Sequence, residues 1–151
     1  MATLYGVNRT KANSATSTGT LILEPGNGLS PVYCVSDTYE ASAASINDII
    51  EMGVKIPKNA VVIHAILHAD ALGSSVTLDV GDYEDDDRYL QAIACDSASV
   101  SYIEASQIDG RLYTADETTA GATTTDLQII VTVEGAAATG TIKLVVLYAY
   151  V

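Results

Sequence analysis

The chain has 151 residues, a length that suits one domain able to bury roughly 70% of the surface its unfolded form exposes. It is 48% hydrophobic and 17% charged, with nine Tyr but no Phe and no Trp, so its core must be built from small and β-branched side chains. Nineteen acidic against seven basic residues give a formal charge of -12, which repels both a phosphate backbone and an anionic lipid surface; no nucleic acid and no membrane are expected as partners, and no apolar stretch reaches the ~20 residues of a membrane span.

Ala2 to Thr20 is rich in Thr, Ser, Ala and Asn, holds Arg9 and Lys11, and shows no sustained periodicity. It reads as an extended N-terminal arm, residues 1–20, which is either a frayed end or a segment that orders on a partner through Leu4, Tyr5 and Val7. It has no signal-peptide core, so export is not expected, and a soluble protein is. Residues 21–151 are expected to form one β-sandwich domain.

Leu21-Ile22-Leu23 is a short strand ended by Pro25-Gly26-Asn27-Gly28, and Val32 to Tyr39 is the next apolar run. Ala41 to Met52 can be helical, because Ala44, Ile46, Ile49 and Ile50 partly follow helical spacing and Gly53 can stop it; the alternative is a strand plus a loop. Val61 to Asp70 alternates clearly, with Val61, Ile63, Ala65, Leu67 and Ala69 on one face and Val62, His64, Ile66, His68 and Asp70 on the other. Leu72-Gly73-Ser74-Ser75 then turns into Val76 to Val80, where Val76, Leu78 and Val80 share a side, and the two runs are expected to pair as a hairpin. Cys34 and Cys95 are expected to stay reduced.

Further strands are expected at Tyr89 to Cys95, Val100 to Ala105, Arg111 to Thr114, Leu127 to Glu134 and Thr141 to Val151, with Asp109-Gly110 as a two-residue turn signal. Eight or nine strands with Gly-rich turns and no regular helices predict an all-β fold, a β-sandwich with the jelly roll as its first form. From Leu144 onward both faces of the last strand are apolar, so it needs two covers: a loop over a central strand, or a subunit interface.

Catalytic and metal motifs are not found. His64 and His68 have metalloprotease spacing, but Ala65 stands where the catalytic Glu belongs, and on a strand the two imidazoles sit about 13 Å apart. The acidic run Asp82 to Asp87 offers hard oxygen ligands without matching the twelve-residue calcium loop, since no Gly occupies its sixth position and Ile93 occupies its twelfth. It is expected to be a solvated loop paired through Arg88. A carboxylate pair among Asp79, Asp82 and Asp85 could serve hydrolysis only if a cleft brought them together. No catalytic, cofactor-binding or metal residue is assigned, and no enzyme activity is expected.

The segment Ile49 to Ala60 (IIEMGVKIPKNA), the turn Leu72 to Ser75, and Val76 to Tyr89 with its VGDYEDDDRY resemble small virion proteins of tailed phages found with the major capsid protein, and the GVNRTK arm at Gly6 to Lys11 fits the same group. The resemblance covers roughly the first two-thirds of the chain. It implies a capsid cement (decoration) protein: a jelly roll or related sandwich on the outer surface of the head where capsomers meet, assembled in the host cytoplasm. Its partners would be the major capsid protein and further copies of itself, as a dimer or trimer. The alternatives are a phage fibre, head-fibre or connector component, or a carbohydrate- or ligand-binding sandwich, for which nine Tyr offer stacking faces.

Overall fold

The computed structural model describes residues 31–103 and 126–150. The expected arm, the strands at Leu21 to Leu23 and Arg111 to Thr114, and the Asp109-Gly110 turn lie outside them. Eight strands follow in order: β1 (Tyr33–Ala44), β2 (Ile49–Pro57), β3 (Ala60–Ala69), β4 (Thr77–Gly81), β5 (Leu90–Ala94), β6 (Ser99–Tyr102), β7 (Asp126–Glu134) and β8 (Ala138–Tyr150).

Four antiparallel pairings, β1 with β8, β2 with β7, β3 with β6 and β4 with β5, are those of one long hairpin whose tip is the β4–β5 loop. Two more, β3 with β8 and β4 with β7, roll that hairpin into two sheets of order β1-β8-β3-β6 and β2-β7-β4-β5. This is the eight-strand jelly roll, and the all-β sandwich expectation holds. We call the two layers the β8 sheet and the β7 sheet after their long central strands.

The core lies between them and is aliphatic. Ile50, Met52, Val54 and Ile56 of β2, Leu127, Ile129, Val131 and Val133 of β7 and Leu78 and Val80 of β4 line it from the β7 sheet; Ala65, Leu67, Ile142, Leu144 and Val146 close it from the β8 sheet, and Tyr89 is among its largest fully buried side chains. Each fully buried Leu, Ile or Val contributes about 1.5–3 kcal/mol.

The structure corrects two expectations and refines a third. Ala41 to Met52 is not helical. Ala43 and Asn47 take left-handed φ of 56° and 66°, the Ser45 and Asp48 groups close a turn (Asp48 N–H to Ser45 C=O, 3.0 Å), and strict alternation of buried residues from Ile50 to Ile56 outweighs the helical stripe. Ile46 and Ile49 of that stripe are exposed. Nor do Val61 to Asp70 and Val76 to Val80 form a hairpin, because β3 and β4 belong to different sheets. The connection between them crosses the end of the sandwich with Leu72 buried, its N–H bonded to the Cys95 carbonyl at 2.8 Å and its carbonyl to the Thr139 N–H at 2.9 Å. Finally, β3 keeps its expected faces at Ala65, Leu67 and Ala69, but a bulge between Val62 and His64 reverses them earlier, burying Ala60 and Val62 and exposing Ile63.

Candidate functional site

With no convergent catalytic group assigned, the surfaces that could act are the two outer sheet faces and the loop at the tip of the rolled hairpin. On the β8 sheet, residues opposite each other in the register share a side. The outer rows are therefore Val61 and Ala149; Cys34, Leu147 and His64; Ser36, Val145, Ile66 and Tyr102; and Thr38, Lys143, His68 and Val100. Val145, Leu147, Ala149 and Ile66 are half-buried, while Val100 (45%) and Tyr102 (51%) stay exposed. The last strand thus has a core face and an outer face open to solvent.

The histidines fall in this face as exposed-side residues two rows apart, not as a shared metal pair. His64 stacks on Tyr102, ring centroids 5.7 Å apart and planes within 6°. His68 and Lys143 border a shallow groove of about 450 Å³ that also takes in Ser99, Thr141 and Asp70. Asp70 is the one carboxylate lining the groove and accepts the Thr141 N–H at 3.1 Å, while Glu40 of β1 accepts the hydroxyl of the same Thr141 at 2.9 Å. Cys34 is an exposed free thiol on β1, and Cys95 is a buried one whose pKa burial pushes up.

The β7 sheet is finished differently. Its outer rows are Glu51, Ile130 and Gly81, then Ile49, Thr132 and Asp79, with Lys55 opposite Gln128. Ile130 (1%), Thr132 (4%) and Gln128 (8%) are nevertheless buried, so β7 is covered on both sides. The acidic loop supplies cover at Ile130. A Cβ on Gly81 would lie 2.0 Å from the Asp85 carbonyl oxygen, which shows the loop backbone resting directly on the sheet. From that loop the Tyr83 hydroxyl donates to Glu51, with Ile130 on the strand between. Gln128 donates to the Met52 and Ile129 carbonyls, serving the irregular pairing between Glu51 and Lys55.

Inside the loop Asp82 is fully buried and accepts from four donors: the N–H groups of Glu84 (2.9 Å) and Asp85 (3.2 Å), and Arg88 Nε (2.6 Å) and Nη2 (3.4 Å). The expected self-pairing through Arg88 is thus centred on one carboxylate, and Glu84 and Asp85 lie only 3.9 and 3.8 Å from the same guanidinium. Asp85, Asp86 and Asp87 bring ligand oxygens within 4.8 Å of one another and could hold a divalent cation. Burial, a hydrogen bond with Asp87 and neighbouring charge raise the Asp85 pKa. Asp79 is raised as well, chiefly by burial, although the Ala92 N–H donates to it. Asp82 is spent on holding the loop, so the supposed hydrolytic trio is not a convergent set.

At the end where the chain enters β1 and leaves β8, Tyr33, Tyr148 and Tyr150 form a cluster that sequence inspection did not single out. Tyr33 stacks on Tyr148 at 5.3 Å, and Tyr150 meets both rings edge-on at 5.8 and 6.3 Å. The residues are 115 positions apart in sequence and become neighbours only through the β1–β8 register, in which Tyr33 lies opposite Tyr148.

Solved structures with the same fold are found among phage capsids. A chain of the cyanophage Pam1 capsid asymmetric unit matches with a TM-score of 0.65 and 23% identity, over 88% of this chain and 95% of that one. A chain of the capsid of Ralstonia phage GP4 matches with a TM-score of 0.59 and 22% identity, over 80% and 85%. At this identity the likeness concerns the fold. No protein-family model matches the sequence, and no curated protein does.

Proposed function

We propose that the chain is a non-enzymatic structural protein of a tailed-phage particle, a cement protein that sits on the outer surface of the head and binds the major capsid protein between capsomers. The observation that carries this reading is the jelly roll shared over nearly the whole of both chains with a component of a phage capsid. The molecule's own physics supports it. A sandwich with an aliphatic core and one doubly buried central strand resists deformation, and Asp82, the fully buried carboxylate among the described residues, holds a loop in place.

In this reading strength comes from many weak contacts made at once, each copy engaging more than one capsid subunit, with residues 1–20 lying across a neighbour. The test is to mix the purified full chain with emptied, undecorated heads and follow co-sedimentation and the temperature of head rupture. Saturable binding that raises that temperature, lost on deleting residues 2–20, is the expected outcome; heads left unbound and no more stable refute it. The exposed Tyr33–Tyr150 cluster favours a second reading, a ligand-binding module of a fibre. That reading expects Tyr33→Ala to abolish retention on a glycan array while leaving head binding intact.

A further inference from the structure

Arg88 serves the acidic loop unevenly. Its guanidinium is committed to Asp82 at 2.6 Å, while Asp85 stands 3.8 Å away. Asp85, Asp86 and Asp87 gather ligand oxygens within 4.8 Å of one another. Asp85 and Asp87 are in hydrogen-bond contact, and two carboxylates that close are stable only with a proton or a cation between them. Gln91 of β5 donates to Asp87, and the neighbouring Ala92 N–H donates to Asp79, so one stretch of β5 ties the loop acids to the outer row of the β7 sheet.

That outer row holds a second, independent observation. Thr132, opposite Asp79 in the register, is only 4% exposed, and among the described residues its hydroxyl meets no hydrogen-bond partner. Buried hydroxyls are normally satisfied by protein or by an ordered ligand. This one projects on the same side as the half-buried Asp79, whose neighbouring charges, Asp86, Asp87 and Glu134, are all negative. The unsatisfied hydroxyl therefore opens toward an acidic niche and not toward the aliphatic core.

We propose that this niche binds a divalent cation, Ca²⁺ before Mg²⁺, held by the carboxylates of Asp85, Asp86 and Asp87 on the loop side and walled by Asp79 and Thr132 on the sheet side. Carboxylate and hydroxyl oxygens are hard ligands that suit these ions rather than Zn²⁺. Size selects Ca²⁺. Its ligand oxygens, at about 2.3–2.6 Å, lie up to about 5 Å apart across the ion, whereas the Mg²⁺ shell at about 2.0–2.1 Å spans only about 4 Å. The larger shell accommodates the 4.8 Å span of the loop oxygens. Three loop carboxylates leave room for water in it, and such water is a partner that the Thr132 hydroxyl and Asp79 can share. Bound there, the ion links loop to sheet and tightens the cover over Ile130, whether or not the chain binds heads.

Calorimetric titration of the full chain, stripped with EDTA, with CaCl₂ and separately with MgCl₂ at constant ionic strength reads binding, and thermal melting reads its effect on the fold. The expected result is saturable Ca²⁺ binding with a Kd of about 10⁻⁴–10⁻³ M, the weak end of protein Ca²⁺ sites. At about tenfold excess over Kd the melting temperature is expected to rise by about 3–6 °C. Asp86→Asn combined with Asp87→Asn is expected to raise Kd roughly 30-fold or more, because it removes two charged ligands. Thr132→Val keeps the shape and removes the hydroxyl; it is expected to raise Kd about 3- to 10-fold while leaving the Ca²⁺-free protein as stable as before. Should Thr132→Val fail to fold, Asp79→Asn takes its place and weakens Ca²⁺ binding in the same direction. Heats and melting temperatures no different from those in NaCl of equal ionic strength overturn the proposal, as does Ca²⁺ binding that is indifferent to the loop variant or to the folded sheet variant. Mg²⁺ bound more tightly than Ca²⁺ overturns the choice of ion.

Discussion

The two sheets share a core yet finish their outer faces in opposite ways. On β7 the outward residues Gln128, Ile130 and Thr132 are buried, and the acidic loop is tied down over the sheet by Tyr83 and by the Asp82–Arg88 pair. On β8 the outward residues Val145, Leu147 and Ala149 keep solvent exposure, and their neighbours Val100 and Tyr102 are exposed outright. The outward rows differ in polarity, Gln128 and Thr132 flanking Ile130 on β7 against Val145, Leu147 and Ala149 on β8. They differ also in whether the hairpin tip folds back over them, which buries Ile130 and leaves the β8 face open.

The comparison breaks first at Ile130 and Ile66, equivalent aliphatic positions on opposite outer faces. Ile130→Glu places a carboxylate in a buried site beside Glu51 and beneath the acid-rich loop, and the expected loss is more than about 4 kcal/mol, the range of an unpaired buried charge. Ile66→Glu on the open face is expected to change monomer stability by less than about 1 kcal/mol. Urea denaturation at low micromolar protein measures both. Equal losses would mean that the β8 face is no more open than its counterpart.

Next in size is the anchor of the cover. Asp82→Ala leaves Arg88 and the Glu84 and Asp85 N–H groups without their shared acceptor. Since the Arg88 side chain keeps 14% exposure, water recovers part of the deficit, and the expected cost is about 3 kcal/mol, at the low end for breaking a buried pair. Because the loop covers Ile130, hydrogen exchange should quicken at the amides of β7 and the 82–88 loop more than in β8. Uniform acceleration in both sheets would deny the loop its role as a lid.

Much of this architecture was legible because alternation is a local signal. Val76, Leu78 and Val80 point inward as their pattern requires, and β7 and β8 begin within a few residues of their expected limits. Pairing was not legible. The apolar faces of β3 and β4 look the same whether the strands are neighbours or lie across the core, and only the burial of Leu72 distinguishes a crossing from a hairpin. The bulge before His64 leaves no mark in residue type, so the alternation read from the sequence puts Val61, Val62 and Ile63 on the wrong faces. In β2 the alternating Ile50, Met52, Val54 and Ile56 were present to be read, but the overlapping helical spacing of Ile46, Ile49 and Ile50 competed with them. The acidic loop was recognised as charged and paired through Arg88. That one of its acids would be fully buried depends on Gly81 admitting the backbone of Asp85, a close approach that no spacing rule encodes.

The smallest expected effect contrasts two carboxylates that the sheets treat differently. Asp37 accepts the N–H groups of Gly53 at 2.6 Å and Thr38 at 2.8 Å, and these bonds, Gly53 first, hold its pKa below the usual carboxylate value. Asp79 sits under the acidic side of the β7 sheet, where burial, then the charges of Asp86, Asp87 and Glu134, outweigh its Ala92 bond and raise its pKa. The signs follow from proton linkage. Folded Asp37 binds its proton less readily than the unfolded chain, so its contribution is present above the unfolded value of about 3.9 and is lost as pH falls through its lower folded value. Folded Asp79 binds its proton more readily, so stability declines as pH rises from about 3.9 through its higher folded value. Asp79→Asn keeps an oxygen for the Ala92 N–H and is expected to raise the urea midpoint at pH 7 and flatten the profile above pH of about 4. Asp37→Asn is expected to lower that midpoint and flatten the profile below about the same point. Midpoints measured from acid to neutral pH read both, and a matching sign for the two variants would show that the acidic side of the β7 sheet is as well solvated as the β1 edge.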